Sequence, residues 1–120
     1  MKIPGPDHPI TIAPHTGRIR IVAAEGIIAD TTQALVLTEA SYRPVFYIPR
    51  EDTDFRNLVR TDHTTNCPYK GDASYFSITT SHGTIDNAIW SYEQPYPAMT
   101  EIADYLAFYP SKVTIEQLPV

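Results

Sequence analysis

Residues 73–92, ASYFSITTSHGTIDNAIWSY, hold two runs rich in β-branched and aromatic residues on either side of a histidine–glycine pair. An X-Gly pair between two such runs is a strong short-range signal for a hairpin. With His82 and Gly83 as the loop, Ser81 faces Thr84 and the register follows. Tyr75 then lies opposite Trp90, Ala73 opposite Tyr92 and Ser77 opposite Ala88. On the other face Phe76 meets Ile89 and Thr80 meets Ile85, with Ile78 facing Asn87. Side chains alternate faces along a strand, so one face carries the aliphatic and phenylalanine residues of a core. The other gathers Tyr75, Trp90 and Tyr92, aromatics that each have a polar handle. A slip of one residue would exchange the faces of one strand.

Upstream of the hairpin, RIRIVAA (18–24) alternates charged and apolar residues at period two, the pattern of a half-buried strand. Glu25-Gly26 offers a two-residue turn, and IIAD (27–30) returns as the partner strand. QALVLTE (33–39) and PVFYIP (44–49) supply two more strands. REDTDFRNLVR (50–60) carries Phe55, Leu58 and Val59 at helical spacing. That predicts a turn or two of helix, with Asp52 or Thr53 near its start. A loop around Cys67 follows. Beyond the hairpin, Thr100 is placed to cap a short helix around Glu101 to Ala103, and YLAFYP and KVTIEQ read as short strands. Residues 1–17 read as an extended leader packed on a single domain spanning 18–120. Seven or eight close-spaced strands with little helix predict a mainly β, antiparallel, small sandwich-like or barrel-like fold.

The composition agrees. A chain of 120 residues with 42% hydrophobic and 19% charged content suits one folded domain. Eleven prolines, most of them between apolar runs, fit short strands joined by rigid turns. The net charge of -5 and the lack of any Lys/Arg run argue against nucleic acid as a partner. No apolar run approaches a membrane span, and MKIPGPDHPI lacks the apolar segment of a signal peptide. One cysteine excludes an internal disulfide, and a cytoplasmic location is expected.

Candidate site residues cluster at one end of the hairpin. Tyr75 begins the strand that emerges from CPYKG (67–71), and Trp90 and Tyr92 end its partner, so all three share that end with Cys67 and Lys70. An amphipathic aromatic wall beside a thiol and an ammonium has the composition of a ligand pocket. The competing reading packs these aromatics under the N-terminal segment as a second core. Cys67 has Lys70 three residues on and His63 four before. A cation favours a thiolate and a histidine can serve as base, which makes Cys67 and His63 candidate catalytic residues. Structural burial and pocket lining remain open for Cys67 as well. Lys70 is a candidate ligand-binding cation, held in a tight loop between Tyr69 and Gly71. Arg50, after a strand and a proline, is placed either to grip an anion or to pair with Glu51 and Asp52. Glu39, ending an apolar strand, is either a partly buried carboxylate paired with one of these cations or a surface charge. His8 is either a ligand group or an anchor for the leader.

Five stretches occur in an order that resembles a known family: HPITI (8–12), YIPRED (47–52), CPYKG (67–71), WSYEQP (90–95) and AFYPSKV (107–113). Together they resemble the small bacterial and fungal proteins grouped as domain of unknown function 427. The resemblance implies a beta-tent fold, in which antiparallel sheets lean together at an angle. Several relatives of that fold hold a structural zinc with two cysteine pairs. A single cysteine cannot supply them, and Cys67, His63 and His82 lack paired-ligand spacing, so no metal is expected. A nucleotidyltransferase label is sometimes attached to the family. Such chemistry needs carboxylates that hold divalent cations and a glycine–serine loop for the triphosphate. Asp52 and Asp54 have the spacing of a carboxylate pair, but no Gly-Ser loop precedes them.

No nucleotide, flavin or haem signature is visible, and no cofactor is expected. Two classes of function follow, and neither fixes whether a reaction is catalysed. In one, a small anionic metabolite is gripped by Arg50 and Lys70 and walled by Tyr75, Trp90 and Tyr92. In the other, the Tyr75/Trp90/Tyr92 face is a protein-interaction or self-assembly surface, with a homo-oligomer left open.

Overall fold

The structure, a computed structural model, describes residues 1–24 and 26–120. Ten strands occur among them: β1 (Ile10–Pro14), β2 (Arg18–Ala23), β3 (Gly26–Thr31), β4 (Leu35–Glu39), β5 (Val45–Tyr47), β6 (Leu58–Cys67), β7 (Gly71–Thr80), β8 (Gly83–Ser91), β9 (Ala107–Phe108) and β10 (Thr114–Leu118). All pair antiparallel, in three sheets ordered β1-β4-β5, β10-β2-β3 and β6-β7-β8-β9. Helical structure is limited to two short 3-10 segments, Arg50–Asp52 and Pro97–Ile102. The fold is mainly β, as the alternation predicts. Of the predicted Glu25-Gly26 turn, Glu25 lies outside the described residues, and Gly26 is already the first residue of β3, paired with Ala23 of β2.

Within the four-stranded sheet, β7 is buried on both faces. Phe76 and Ile78 enter a large core with Ile19 and Ile21 of β2, Ile28 of β3 and Ile89 of β8. Ala73 and Tyr75, on the opposite face by strand alternation, enter a second core with Leu37 of β4, Tyr47 of β5, and Tyr92. Each fully buried large side chain contributes about 1.5–3 kcal/mol, so β7, covered on both sides, runs through the centre of the domain. Backbone bonds between Ile48 and Leu106, at 2.8 Å each way, tie the end of β5 to the start of β9.

The hairpin register holds where the aromatics lie and shifts towards the turn. Tyr75 pairs with Trp90 and Phe76 with Ile89, but Ile78 pairs with Ile85 and Thr80 with Gly83. The loop residues are therefore Ser81 and His82, not His82 and Gly83. A bulge on β8 absorbs the difference. Asn87 takes φ 47°, its N–H donates to Ser77 Oγ at 2.9 Å, and its side-chain oxygen accepts from Thr61 Oγ1 at 2.7 Å. Asparagine tolerates this left-handed conformation better than most residues. The displacement is two residues, so every side chain keeps its face.

Two expectations fail in the stretch between the strand at 45–47 and the hairpin. The helix predicted across 50–60 is confined to Arg50–Asp52, and the loop predicted around Cys67 is largely strand, since β6 runs from Leu58 to Cys67. The reason is that β6 is an edge strand, mostly solvent-exposed, so its sequence carries no apolar alternation. Its threonines, favoured in strands, are the remaining signal. The helix predicted around residues 101–103 begins earlier, at Pro97, and ends at Ile102. Within the predicted leader, residues 10–14 form β1 and pair with β4.

Candidate functional site

Three separate segments bring one polar cluster together. Lys70 lies in the short connection between β6 and β7, where Cys67 pairs with Gly71 and the Lys70 carbonyl accepts from the Tyr96 N–H at 2.9 Å. Gly71 follows at φ 111°, a conformation that a side chain would strain. The turn aims the Lys70 side chain inward, where the residue is only 6% exposed. There its ammonium donates to Glu39 Oε1 at 2.5 Å. The second carboxylate oxygen of Glu39 meets His8 Nε2 at 2.7 Å, and the His8 ring stacks on Tyr69 with centroids 4.2 Å apart. Burial by itself pushes the Glu39 carboxyl upward. The hydrogen bonds and charges of Lys70 and His8 outweigh it and hold the group below its ordinary value. Both the paired-carboxylate reading of Glu39 and the anchoring reading of His8 describe this arrangement.

Beside the pair lies a cavity of about 270 Å³, lined by Glu39, Lys70, Tyr75, Trp90 and Tyr92 together with Tyr42, Arg43, Tyr47 and Tyr109. Of the six ligand-binding residues expected from sequence, this cavity brings five together. The two readings of the aromatic face turn out to be compatible. Tyr75 and Tyr92 are packed in the second core and also wall the cavity. Tyr75 Oη lies 2.9 Å from Thr65 Oγ1 and 3.2 Å from Tyr109 Oη, and the Trp90 and Tyr109 rings meet at 4.5 Å. Burial raises the phenols of Tyr47, Tyr92 and Tyr109 well above the usual range. They remain neutral hydrogen-bonding groups throughout the physiological range.

Arg50, the sixth, stands apart from the cavity. Its guanidinium donates to the Asp104 carbonyl at 2.5 Å, to Ser91 Oγ at 3.0 Å and to Glu93 Oε2 at 2.9 Å. Arg60 forks onto the same Glu93 carboxylate at 2.9 and 2.6 Å. Both guanidiniums lie over the Phe76 ring, at 5.6 and 4.9 Å from its centroid. Chiefly through Arg60, with Ser74 and Arg50 adding to it, Glu93 is held down at about 2. This network clamps the end of β8 to the segment before β6.

Cys67 is half-buried, and its sulfur lies 3.7 Å from Lys70 Nζ, outside the cavity lining. His63 sits four residues back on the same strand, with its ring edge-on to Tyr75 at 4.5 Å. Four residues of extended chain span about 13 Å, too far for His63 to take a proton from Cys67. Asp52 accepts from Thr31 Oγ1 at 2.6 Å, and Asp54 is bound by Arg56 at 2.7 Å, so both carboxylates of the D-x-D pair are engaged locally. Among the described residues no three His, Cys, Asp or Glu side chains gather in a way that would hold a metal ion. Nor is any helix there long and apolar enough to cross a membrane.

A family model described as Domain of unknown function (DUF427) matches residues 11–118. The chain belongs to this family. No curated protein matches it. The stretches that carry the resemblance to DUF427 supply much of the site: HPITI brings His8, YIPRED brings Tyr47, CPYKG brings Lys70, WSYEQP brings Trp90 and Tyr92, and AFYPSKV brings Tyr109.

In this DUF427 chain the sequence reading missed Arg43, Tyr42, Tyr47 and Tyr109. Arg43 is exposed at the cavity mouth and forms no ion pair among the described residues. A faint signal for it existed in YRPVFYIP, where a cation precedes a strand whose neighbour ends in Glu39. That pairing becomes visible only when β4 and β5 are placed side by side.

Proposed function

We propose that this domain binds a small anionic molecule in the cavity beside the CPYKG turn. The carrying observation is the charge arrangement. Lys70 is already matched by Glu39, whereas Arg43 at the mouth has no carboxylate partner among the described residues. The cavity therefore holds one excess positive charge among aromatic walls. Neutral phenols supply further hydrogen bonds to a bound oxyanion, and Arg43 takes the gripping role that sequence reading gave to Arg50. A volume near 270 Å³ sits at the low end for small-molecule sites, which suits a metabolite of few heavy atoms. Burial of Tyr75 and Tyr92 to 5% and 7% exposure favours this reading over an interface built on their face.

Trp90 is the only tryptophan and lines the cavity, so its fluorescence reports directly on occupancy. Titration with small carboxylates at low salt is expected to change that signal saturably. Arg43→Gln should weaken binding by about tenfold, the lower end for losing a charged hydrogen bond. A saturable signal indifferent to Arg43→Gln, or none at all, defeats the reading.

A further inference from the structure

A second, more open groove of about 560 Å³ adjoins the cavity, and both are lined by Arg43, Val45 and Trp90. The additional walls are mostly apolar, from Val36, Pro44, Phe46, Phe108, Pro110 and Ile115, with His15 and Gln117 as the polar members. Trp90 thus stands between a small cavity that holds the Lys70–Glu39 pair and a larger apolar groove, with Arg43 bordering both. The groove contains no acidic side chain, and Arg43 is its sole side chain of fixed charge.

We infer that the ligand is an amphiphilic monoanion, a single carboxylate on an apolar body. Its oxyanion sits at Arg43 and its body crosses Trp90 into the groove. The inference rests on the small-anion reading above and adds the class of molecule. Charge complementarity limits the head to one negative charge, because Lys70 is neutralised by Glu39 and Arg43 supplies a single cation. A dianion would leave one charge uncompensated beside the Glu39 carboxylate. The apolar lining supplies the energy that a small charged head lacks in water, since each methylene removed from solvent strengthens binding by up to roughly fourfold.

The test uses the full chain and Trp90 fluorescence with acetate, butyrate, hexanoate and octanoate, and with 1-hexanol and 1-octanol as uncharged controls. Affinity is expected to rise about threefold per added methylene, slightly below the value for full burial. Each alcohol should bind at least about tenfold more weakly than its matching acid, and Arg43→Gln should erase that gap. Carboxylates that bind equally at every chain length overturn the inference and leave the small-anion reading standing. Alcohols that bind as tightly as acids overturn it by showing a charge-blind groove. If no acid binds, both readings fail. A self-associated protein, seen by sedimentation, in which Trp90 responds to no probe also overturns it, with a second copy as the occupant.

Discussion

The Lys70 ammonium and the Glu39 carboxylate meet at 2.5 Å, with Lys70 almost fully buried and Glu39 largely so. They are 31 residues apart in the chain, and each arrives at the end of a different sheet. Removing one partner leaves the other as a poorly solvated charge, whereas removing both does not. Lys70→Met should therefore cost about 3 kcal/mol in urea unfolding, at the lower end for a broken buried pair because His8 still contacts Glu39. Adding Glu39→Leu should recover part of that loss. Equal stability of Lys70→Met and wild type would show that the pair is not structural.

Among the carboxyls held below their ordinary values, the two partly buried ones should contribute most to acid unfolding. Glu93 is held at about 2, against an ordinary value of 4.5, and Glu39 is also held low. A carboxyl depressed in the folded state stabilises the fold above its unfolded value, and that contribution disappears as pH falls through the folded one. Stability should thus decline between about pH 5 and pH 2. In Glu93→Gln the decline should be shallower, which denaturant titration at a series of pH values will show. An unchanged acid limb in this variant would remove Glu93 from the account.

Alkali should act through the phenols in the opposite sense. Tyr47, Tyr92 and Tyr109 are raised above 10.0 by burial, so their contribution is fully present below the unfolded value and is lost as pH climbs towards the folded one. Of the eight tyrosines, these three should ionise late, together with alkaline unfolding. Ultraviolet titration of the native chain against the chain in urea measures this. Eight phenols titrating together near pH 10 in the folded protein would contradict the burial described here.

At the β8 bulge, Asn87→Ala should destabilise by about 2 kcal/mol, combining a left-handed backbone penalty with a lost hydrogen bond. Asn87→Gly keeps the backbone conformation accessible and should cost about 1 kcal/mol. Thermal or urea unfolding ranks the three proteins. A glycine variant no better than alanine would place the cost in the Thr61 contact alone.

The hairpin was legible because its information is local. A turn dipeptide and period-two alternation fixed which residues share a face, and a two-residue bulge shifted the register near the turn without reversing it. The same alternation read β2, whose buried and half-buried residues alternate. It was silent on β6, whose residues have one buried neighbour strand and otherwise face water, leaving no apolar rhythm to detect.

The sequence by itself determined an antiparallel β domain, its family through five ordered stretches, and most of the residues around one end of the central hairpin. Only the tertiary structure decided which charges meet. Arg50 and Lys70 both read as candidate anion-gripping cations in the sequence, each shortly after a proline. Sheet packing sends Lys70 inward to Glu39, whose other oxygen meets His8, and engages Arg50 with Glu93, and it leaves Arg43 at the cavity mouth. Local patterns encode burial, because burial repeats with the strand period. An ion pair between distant segments depends on how whole sheets are stacked, and no periodicity in the chain carries that.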